Sequence, residues 1–277
     1  MSQKAMDRTM RYLYDKQMGC LTQKVVTNPF MSAVAGAFMD TKLSTQAIEG
    51  FVRRNNIDLS EYEESEYTCF NDFFTRRVKP SERPVDRDPE VLISPCDGMM
   101  TAFRISEDSE FAIKDSYYNV DDLVGGDEIA HKYINGICLV LRLGVDNYHR
   151  YCYIDDGWKT GNHHIPGKYH PVQPIVVRKH PVFMQTTREY CTMFTEHFGE
   201  VVQIEVGACL VGKIKNHRGP GRMRRGEEKG MFLFGGSTIV LLFKEGVLRL
   251  PENLLADSLC GIEQPVKYGA AIARRAH

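Results

Sequence analysis

The sequence predicts an α+β protein, in which a helical N-terminal region precedes a mostly antiparallel β-sandwich or barrel-like domain. Apolar residues recur at three- and four-residue steps in the first part of the chain, which is typical of amphipathic helices. From about residue 91 onward the apolar runs are short and broken by Gly and Pro, which is typical of strands joined by turns. We therefore expect a helical region over residues 1–60 and a single β-rich domain over residues 61–277.

The composition argues against several classes of protein. The 277 residues include 35 basic and 36 acidic side chains, and 43% are hydrophobic. A disordered chain would have less apolar surface to bury, and a general nucleic-acid-binding protein would carry a basic excess. No apolar run approaches the roughly 18 to 20 residues that span a bilayer, and the N-terminus lacks the apolar core of a secretory signal. We expect a chain without a membrane span, on the cytoplasmic side.

The N-terminal region is amphipathic and locally basic. Its residues 1–54 contain eight basic and four acidic side chains, a local charge of +4. A helix start is predicted near Ser44. Such a region can lie on an anionic membrane surface or pack its apolar face on the chain's own core, and both interpretations remain open. The apolar stripe consists of Met6, Met10, Leu13, Tyr14 and Met18.

The remainder of the chain divides into one connection and a series of strands. Residues 66–90 combine three phenylalanines with basic residues and with prolines that include Pro80 and Pro84, which predicts an extended, irregular connection. The predicted strands lie in the segments VLISPCDG, GICLVLRLG, QPIVV, VVQIEVGACLVGKI and MFLFGGSTIVLLF.

Neither the cysteines nor the histidines suggest a metal site. The eight cysteines contain no Cys-x-x-Cys pair, so we expect reduced, buried thiols. His163 and His164 are adjacent on an extended segment and would point to opposite faces, so they could not easily bind one ion.

A mobile basic loop, either solvated or in contact with lipid phosphates, is expected at Arg218, Arg222, Arg224, Arg225 and Lys229.

The segment Phe232–Phe243 has an unusual pattern, because Gly-Gly-Ser-Thr interrupts an otherwise continuous apolar run. Glycine pairs in a strand pattern indicate a bulge, a sharp bend or a close backbone approach. A hydrolase nucleophile elbow would need Gly-x-Ser-x-Gly, and Ile239 replaces its second glycine. In a strained turn, however, the Ser237 hydroxyl can attack the carbonyl of Gly236, and β-elimination from the resulting ester leads to a pyruvoyl group.

That reaction needs a base and a group that orients the base. Asp97 follows a predicted strand in Ser-Pro-Cys-Asp-Gly, and His149 follows another in Asn-Tyr-His-Arg. Each motif by itself is weak evidence, because Asp-Gly is a common turn and a lone His is commonly structural.

Taken together and in this order, the motifs resemble the phosphatidylserine decarboxylase proenzymes, the pyruvoyl-dependent enzymes of phospholipid synthesis. The resemblance covers roughly residues 66–243 and also extends to the helical N-terminus of the bacterial members. The matching segments are FNDFFTRRVKPSERP, SPCDG, NYHRY, IPGKYHPVQP, IEVGACLVGKI, KGMFLFGGST and IVLLF.

The resemblance implies self-cleavage between Gly236 and Ser237, which would give a β chain of residues 1–236 and an α chain of residues 237–277. The α chain would begin with a pyruvoyl group made from Ser237. In the implied relay, His149 deprotonates Ser237 and Asp97 orients the imidazole. The pyruvoyl carbonyl would form a Schiff base with phosphatidylserine, and loss of CO2 and hydrolysis would yield phosphatidylethanolamine.

The resemblance also implies a location and an assembly. The enzyme would be a peripheral protein on the cytoplasmic side of the cell membrane. Its α and β chains would stay associated after cleavage, as a homo-oligomer of that heterodimer.

The sequence departs from the family pattern at two places. Gly-Gly-Ser-Thr stands where many members have Leu-Gly-Ser-Thr, which leaves the Gly-Ser bond unchanged. Cys152 stands where many members have the second histidine of His-x-x-His. If that histidine is the base in those relatives, its role passes here to His149, or to His163, His164 or His170. We favour His149, because it keeps the Tyr-His-Arg context, and we interpret Cys152 as a packed thiol rather than a proton carrier.

Two alternative functions remain. The same chemistry could decarboxylate a free amino acid or another serine-headed lipid. A non-catalytic β-sandwich binding module would instead keep the Gly-Gly-Ser-Thr bulge uncleaved.

Overall fold

The computed structural model describes residues 36–107, 111–113, 116–169, 184–207, 213–235 and 237–276. The predicted apolar stripe between Met6 and Met18, the predicted strand QPIVV and Gly236 lie outside these residues. Within the described ranges, no helix is long and apolar enough to cross a membrane.

The described helices are short, and several are 3-10 turns. Ser44 was predicted as a helix start. It lies instead inside the 3-10 turn Lys42–Ala47, which leads into α1. Its hydroxyl instead accepts a hydrogen bond from the backbone N–H of Phe70 at 2.8 Å. The α-helices are α1 Ile48–Asn55, α2 Phe70–Phe74, α3 Val120–Val124, α4 Asp127–Ala130 and α5 Leu254–Leu259, and further 3-10 turns cover Leu59–Glu61, Pro80–Glu82 and His131–Tyr133.

The strands carry most of the domain and pair only antiparallel to one another in the described ranges. They are β1 Val91–Ile93, β2 Gly98–Arg104, β3 Phe111–Ile113, β4 Ser116–Tyr118, β5 Ile137–Leu143, β6 Arg150–Cys152, β7 Gly157–Lys159, β8 His163–Ile165, β9 Lys168–Tyr169, β10 Met184–Gln185, β11 Arg188–Thr195, β12 Gly199–Val206, β13 Ile214–Asn216, β14 Gly221–Met223, β15 Glu228–Phe232, β16 Ser237–Phe243, β17 Leu248–Arg249, β18 Gln264–Val266 and β19 Ala271–Arg275.

A nine-stranded sheet organises the molecule. Its order is β14-β7-β11-β12-β16-β5-β2-β18, and β8 pairs separately with β11. Strand β16 lies in the middle, and all seven of its residues are buried. Ile239, Leu241 and Phe243 join the core on one face, whereas Val240 and Leu242 join the core on the other. Burial on both faces explains why this strand is a continuous apolar run rather than an alternating one.

Two smaller sheets cover one face of the nine-stranded sheet, in the orders β1-β19-β17 and β13-β15-β6. Leu92, Ile272 and Phe232 from these sheets share one core with Leu241. The opposite face is covered by α3 and the following 3-10 turn, through Leu123 and Tyr133. The described strands therefore form layered, sandwich-like sheets rather than a closed barrel, and the predicted α+β class is confirmed.

The prediction of an irregular connection over residues 66–90 is wrong at its start. Residues 70–74 form α2, and Phe70, Phe73 and Phe74 are all buried. Phe51 of α1 packs edge-on against Phe70 with ring centroids 5.1 Å apart. The phenylalanines form a helix because positions three and four apart share one face, which here meets an apolar partner.

The predicted glycine pair lies where the chain changes sheets, and Gly236 itself is outside the described residues. Strand β15 ends at Phe232 in one sheet, and β16 begins at Ser237 in another, so the chain turns a corner between them. Gly235 has φ 145°, which a residue with a side chain rarely adopts.

Candidate active site

Three neighbouring strands bring the predicted residues to one end of the large sheet. Ser237 begins β16 and lies opposite Leu143, the last residue of β5. Met99 of β2 lies opposite Arg142, so Asp97, just before β2, is at the same sheet end. The backbone of Gly98 approaches β5 so closely that a Cβ atom would lie 2.6 Å from the Arg142 carbonyl oxygen. Glycine after Asp97 is therefore required by packing.

Ser237 is a buried residue at the corner between two sheets, with 1% of its surface exposed. Its Oγ lies 3.4 Å from the carbonyl oxygen of Gly235, a long hydrogen bond. The side chain faces the same core as Ile239 and Leu241, because alternate residues of a strand share a face. The serine is thus weakly held in an interior site.

His149 is completely buried and has a defined tautomer. Its Nδ1 lies 2.8 Å from the carbonyl oxygen of Asn147, and a carbonyl only accepts, so Nδ1 carries the proton. Nε2 is then an acceptor, and it is buried without a hydrogen-bond partner in the described part of the chain. Burial, together with the nearby charge of Arg76, lowers the pKa of His149 to about 3. The imidazole is neutral at physiological pH, with one free lone pair.

The ring of Phe74 covers His149, with ring centroids 3.9 Å apart. Phe74 belongs to α2, and Phe234 packs edge-on against it at 5.3 Å. The Phe232 N–H donates to the His149 carbonyl at 2.9 Å, which ties the histidine loop to the end of β15. The aromatic cluster therefore keeps water from the histidine and joins it to the corner that precedes Ser237.

Asp97 is buried but is not hydrogen-bonded to His149 among the described residues. Arg83 Nε donates to its Oδ1 at 2.9 Å, and Arg83 Nη2 donates to its Oδ2 at 2.7 Å. The Tyr268 N–H donates to Oδ1 at 2.9 Å. The imidazole is oriented by the Asn147 carbonyl, and the carboxylate is held by Arg83 and a backbone amide from the C-terminal segment.

Sequence reasoning missed three residues of this region, and all three lie in FNDFFTRRVKPSERP. Arg83 holds Asp97, and Arg76 donates to the Asp146 carbonyl and the Tyr62 hydroxyl at 3.1 Å each. Asn71 accepts the Phe234 N–H at 2.9 Å. The motif itself was noticed, but its partners are 14 to 163 residues away along the chain, so no local pattern could assign them.

Cys152 is a packed thiol. It is fully buried, with Sγ 3.9 Å from the Ser94 carbonyl oxygen. Burial raises the pKa of its thiol to about 12. A thiol that stays protonated at neutral pH cannot act as a base, so the structure places no base at this position.

The other candidate histidines lie elsewhere or outside the described residues. His163 stacks on Tyr190, and His164 lies 3.5 Å from a carboxylate oxygen of Glu189. Since Tyr190 and Glu189 are neighbours on β11, the two imidazoles have separate partners. His170 is outside the described residues.

The expected mobile basic loop is wrong for three of its five residues, since Arg222 lies in β14 and two others are buried. Lys229 is completely buried in β15 and pairs with Glu205 at 2.7 Å. Arg225 is buried and donates to the carbonyls of Asp86 and Asp88 at 2.8 and 3.1 Å. The glycines between the basic residues made the segment resemble a loop, but Gly221 begins β14 and Lys229 lies in β15.

Comparisons with known proteins show the family of the chain. The family model described as phosphatidylserine decarboxylase matches residues 70–274. The chain is 43% identical to "Phosphatidylserine decarboxylase proenzyme 2" of Clostridium acetobutylicum, over 95% of this chain and 90% of that protein. It is 38% identical to the phosphatidylserine decarboxylase proenzyme of Clostridium beijerinckii (96% and 92% covered) and 36% identical to that of Clostridium botulinum strain Kyoto (97% and 93% covered). The chain therefore belongs to the phosphatidylserine decarboxylase family.

Proposed function

We propose that this protein is a phosphatidylserine decarboxylase that cleaves itself between Gly236 and Ser237 and so makes its own pyruvoyl group. The observation that carries the proposal is the placement of Ser237. It is a buried serine with one long hydrogen bond, at a glycine corner, in the same sheet end as a buried neutral histidine. The names of the relatives, which include the word proenzyme, support processing of the chain.

In the proposed cleavage, the Ser237 Oγ adds to the Gly236 carbonyl carbon and the Gly236–Ser237 C–N bond breaks. The serine proton passes to a base, and the new amine of residue 237 takes up a proton. Loss of the residue 237 Cα proton then expels the Gly236 carboxylate from Cβ and leaves a dehydroalanine, which becomes an imine when its Cβ takes up a proton. Water replaces the resulting imine nitrogen, which leaves as ammonia, and a pyruvoyl group remains at residue 237.

We assign the base to His149 Nε2. Its lone pair is free because Nδ1 donates to the Asn147 carbonyl, which fixes the tautomer. The low pKa of His149 keeps this lone pair unprotonated at neutral pH. Cation formation during proton transfer would need a compensating negative charge, and we assign that role to the buried Asp97 carboxylate.

The residues present fit a pyruvoyl group, because its precursor Ser237 lies on a strand that is fixed on both sides by β12 and β5. Once formed, the pyruvoyl carbonyl would take up the substrate amine and accept the electrons released as CO2 leaves. His149 can hold a proton near this position at Nε2, and the Phe74 ring restricts water.

We further propose that the domains follow the expected division, with residues 1–60 as a membrane-associating region and residues 61–277 as the decarboxylase domain. Cleavage would give chains 1–236 and 237–277, which remain associated. The position of β16 in the middle of the large sheet supports this association, because strands of the other chain flank it on both sides. The enzyme would act as a homo-oligomer at the cytoplasmic face of the membrane, with phosphatidylserine as its substrate.

Intact-mass spectrometry of the purified protein tests the proposal. We expect two chains, of which the smaller starts at residue 237 and has no free amine. Ser237→Ala should remain a single chain of 31.6 kDa. Ser258→Ala is the matched control, because Ser258 is a buried serine of the same C-terminal segment and should not affect cleavage.

The substrate is tested on the cleaved enzyme with phosphatidylserine vesicles and with free serine. CO2 release from the vesicles alone supports a lipid substrate. Equal rates on free serine would contradict it, and an intact parent chain without decarboxylase activity would favour the binding module.

A further inference from the structure

Arg83 is the main partner of the buried Asp97 carboxylate. Its side chain is 4% exposed, and three nitrogen–oxygen contacts of 2.7 to 3.1 Å join it to both carboxylate oxygens. Such two-point contacts fix the position and the plane of a carboxylate, since the guanidinium is a rigid fork. Asp97 is therefore positioned by a side chain from a segment outside the large sheet.

The same guanidinium also binds a second carboxylate. Arg83 Nη2 donates to Glu61 Oε2 at 2.8 Å, and Lys267 Nζ lies 3.6 Å from Glu61 Oε1. Glu61 is itself fixed, because its carbonyl accepts the Lys79 N–H at 2.9 Å. One arginine thus connects Asp97 to the last residue of the 3-10 turn Leu59–Glu61, at the boundary of the N-terminal region.

We propose that Arg83 is a positioning residue for self-cleavage, which fixes the position and the plane of the Asp97 carboxylate, and that Glu61 holds Arg83 in place. The inference rests on the proposed self-cleavage and adds a residue to it. Arg83 acts through Asp97 and is not itself placed at Ser237.

Another buried arginine shows what a purely structural role looks like. Arg225 donates to four backbone carbonyls, those of Asp86, Asp88, Val91 and Ile154. These contacts hold loops to a strand and involve a carboxylate only at 3.6 Å. Arg83, by contrast, donates to one carbonyl, that of Glu82, and directs its other contacts to Asp97 and Glu61.

Several titratable and charged groups face Asp97 from the elements packed against it. Burial raises the pKa of Cys96, Tyr62 and Tyr148, and the charge of Asp97 adds to the effect on each. The contact with Arg83 lowers the pKa of Glu61. The remaining charged groups nearby are Arg76, Arg83 and Lys267, and burial lowers the pKa of His149 to about 3.

The experiment follows self-cleavage during cell-free synthesis of the full chain, as conversion of the full-length band at a series of pH values from 5 to 8.5. The variants are Arg83→Gln, Arg83→Lys and Ser237→Ala. Arg142→Gln is the matched control. Arg142 lies on β5 opposite Thr238 and makes a two-point contact with Glu263, but its side chain is half-exposed. Trp158 fluorescence during thermal unfolding checks that each variant is folded.

We expect Arg83→Gln to slow cleavage about tenfold or more. In the plot of cleavage rate against pH, the acidic limb should also move up by about one pH unit, because a buried carboxylate without a cation is protonated more readily. Arg83→Lys should recover part of the rate and keep the limb near that of the parent, since the charge remains but the fork is lost. Arg142→Gln should stay within about twofold of the parent, as an exposed pair contributes little.

Parental cleavage by Arg83→Gln would overturn the inference. An equal loss of cleavage rate at every pH, with Arg83→Lys no faster than Arg83→Gln, would also overturn the inference, since a structural defect gives that result. If the Gln variant does not fold, slower cleavage by a folded Arg83→Lys supports the inference and a parental rate overturns it. Cleavage of Ser237→Ala at the same bond would instead contradict the proposed function itself.

Discussion

The two ends of the large sheet each contain an aspartate, a histidine and an arginine, yet they differ in how these groups are bonded. At the end opposite Ser237, Asp155 accepts from the His197 backbone N–H at 2.8 Å and lies 3.0 Å from His197 Nδ1. Arg225 lies 3.6 Å from the same carboxylate. At the Ser237 end, the aspartate and the histidine have separate partners.

The comparison teaches that an aspartate–histidine contact is not what distinguishes the candidate site. His197 has a carboxylate partner and holds the turn between β11 and β12 in place. His149 has only a carbonyl partner and keeps a buried ring nitrogen unbonded. An unsatisfied buried acceptor costs free energy, which supports the proposed use of this nitrogen as a base.

The largest expected effect comes from replacing each histidine in turn. We expect His149→Gln to slow self-cleavage by about 10²- to 10⁴-fold, the usual contribution of a general base. His197→Gln should leave the cleavage rate unchanged and lower the free energy of unfolding by about 1 kcal/mol through one lost hydrogen bond. Gel conversion and thermal unfolding measure the two quantities. Equal cleavage by both variants would remove the distinction between the two ends.

A second effect concerns stability against pH, measured in a Ser237→Ala background so that the chain stays intact. The pKa of His149 is about 3 in the folded protein, below its ordinary value of 6.5. Between these values the unfolded chain binds a proton that the folded chain does not, so stability falls as the pH falls from 6.5 toward 3.

This contribution amounts to at most about 1.4 kcal/mol per pH unit. His149→Gln should lack it, which flattens the dependence of the unfolding free energy on pH, whereas His197→Gln should keep it. Denaturant titrations at several pH values measure the slopes. An unchanged slope in His149→Gln would mean that His149 is protonated or exposed in the folded chain.

The smallest expected effect comes from replacing two buried phenylalanines in turn, Phe74 beside His149 and Phe198 at the opposite end of the sheet. Replacing either with leucine should cost about 1 to 2 kcal/mol of stability, because each leaves a partial cavity. Only Phe74→Leu should also admit water to His149. The pH range in which stability falls with falling pH should then begin to close at a higher pH, because hydration raises the pKa of the folded-state imidazole. Unfolding of both variants as a function of pH tests this. A matching shift in Phe198→Leu would show that the effect is general loosening.

Much of the fold could be predicted from local patterns. Strands β5 and β16 lie inside the predicted segments, and β12 overlaps its segment over residues 201–206, because fully buried strands are continuous apolar runs with turn residues at their ends. Helix α2 was missed because FNDFF is only five residues long, too short for helical periodicity to be distinguished from a cluster of aromatic residues. Lys229 was misjudged because burial of a lysine depends on Glu205, 24 residues away.

The sequence by itself determined the chemistry that this protein can offer: a serine after two glycines, a histidine and an aspartate after strands, and motifs in the order of one family. Only the tertiary structure decided how these groups are bonded. It paired His149 with a carbonyl and Asp97 with Arg83, placed Cys152 in the core, and put β15 and β16 in different sheets. The physical reason is that hydrogen bonds and burial depend on distance in space, and antiparallel pairing brings together residues that no window of the sequence contains.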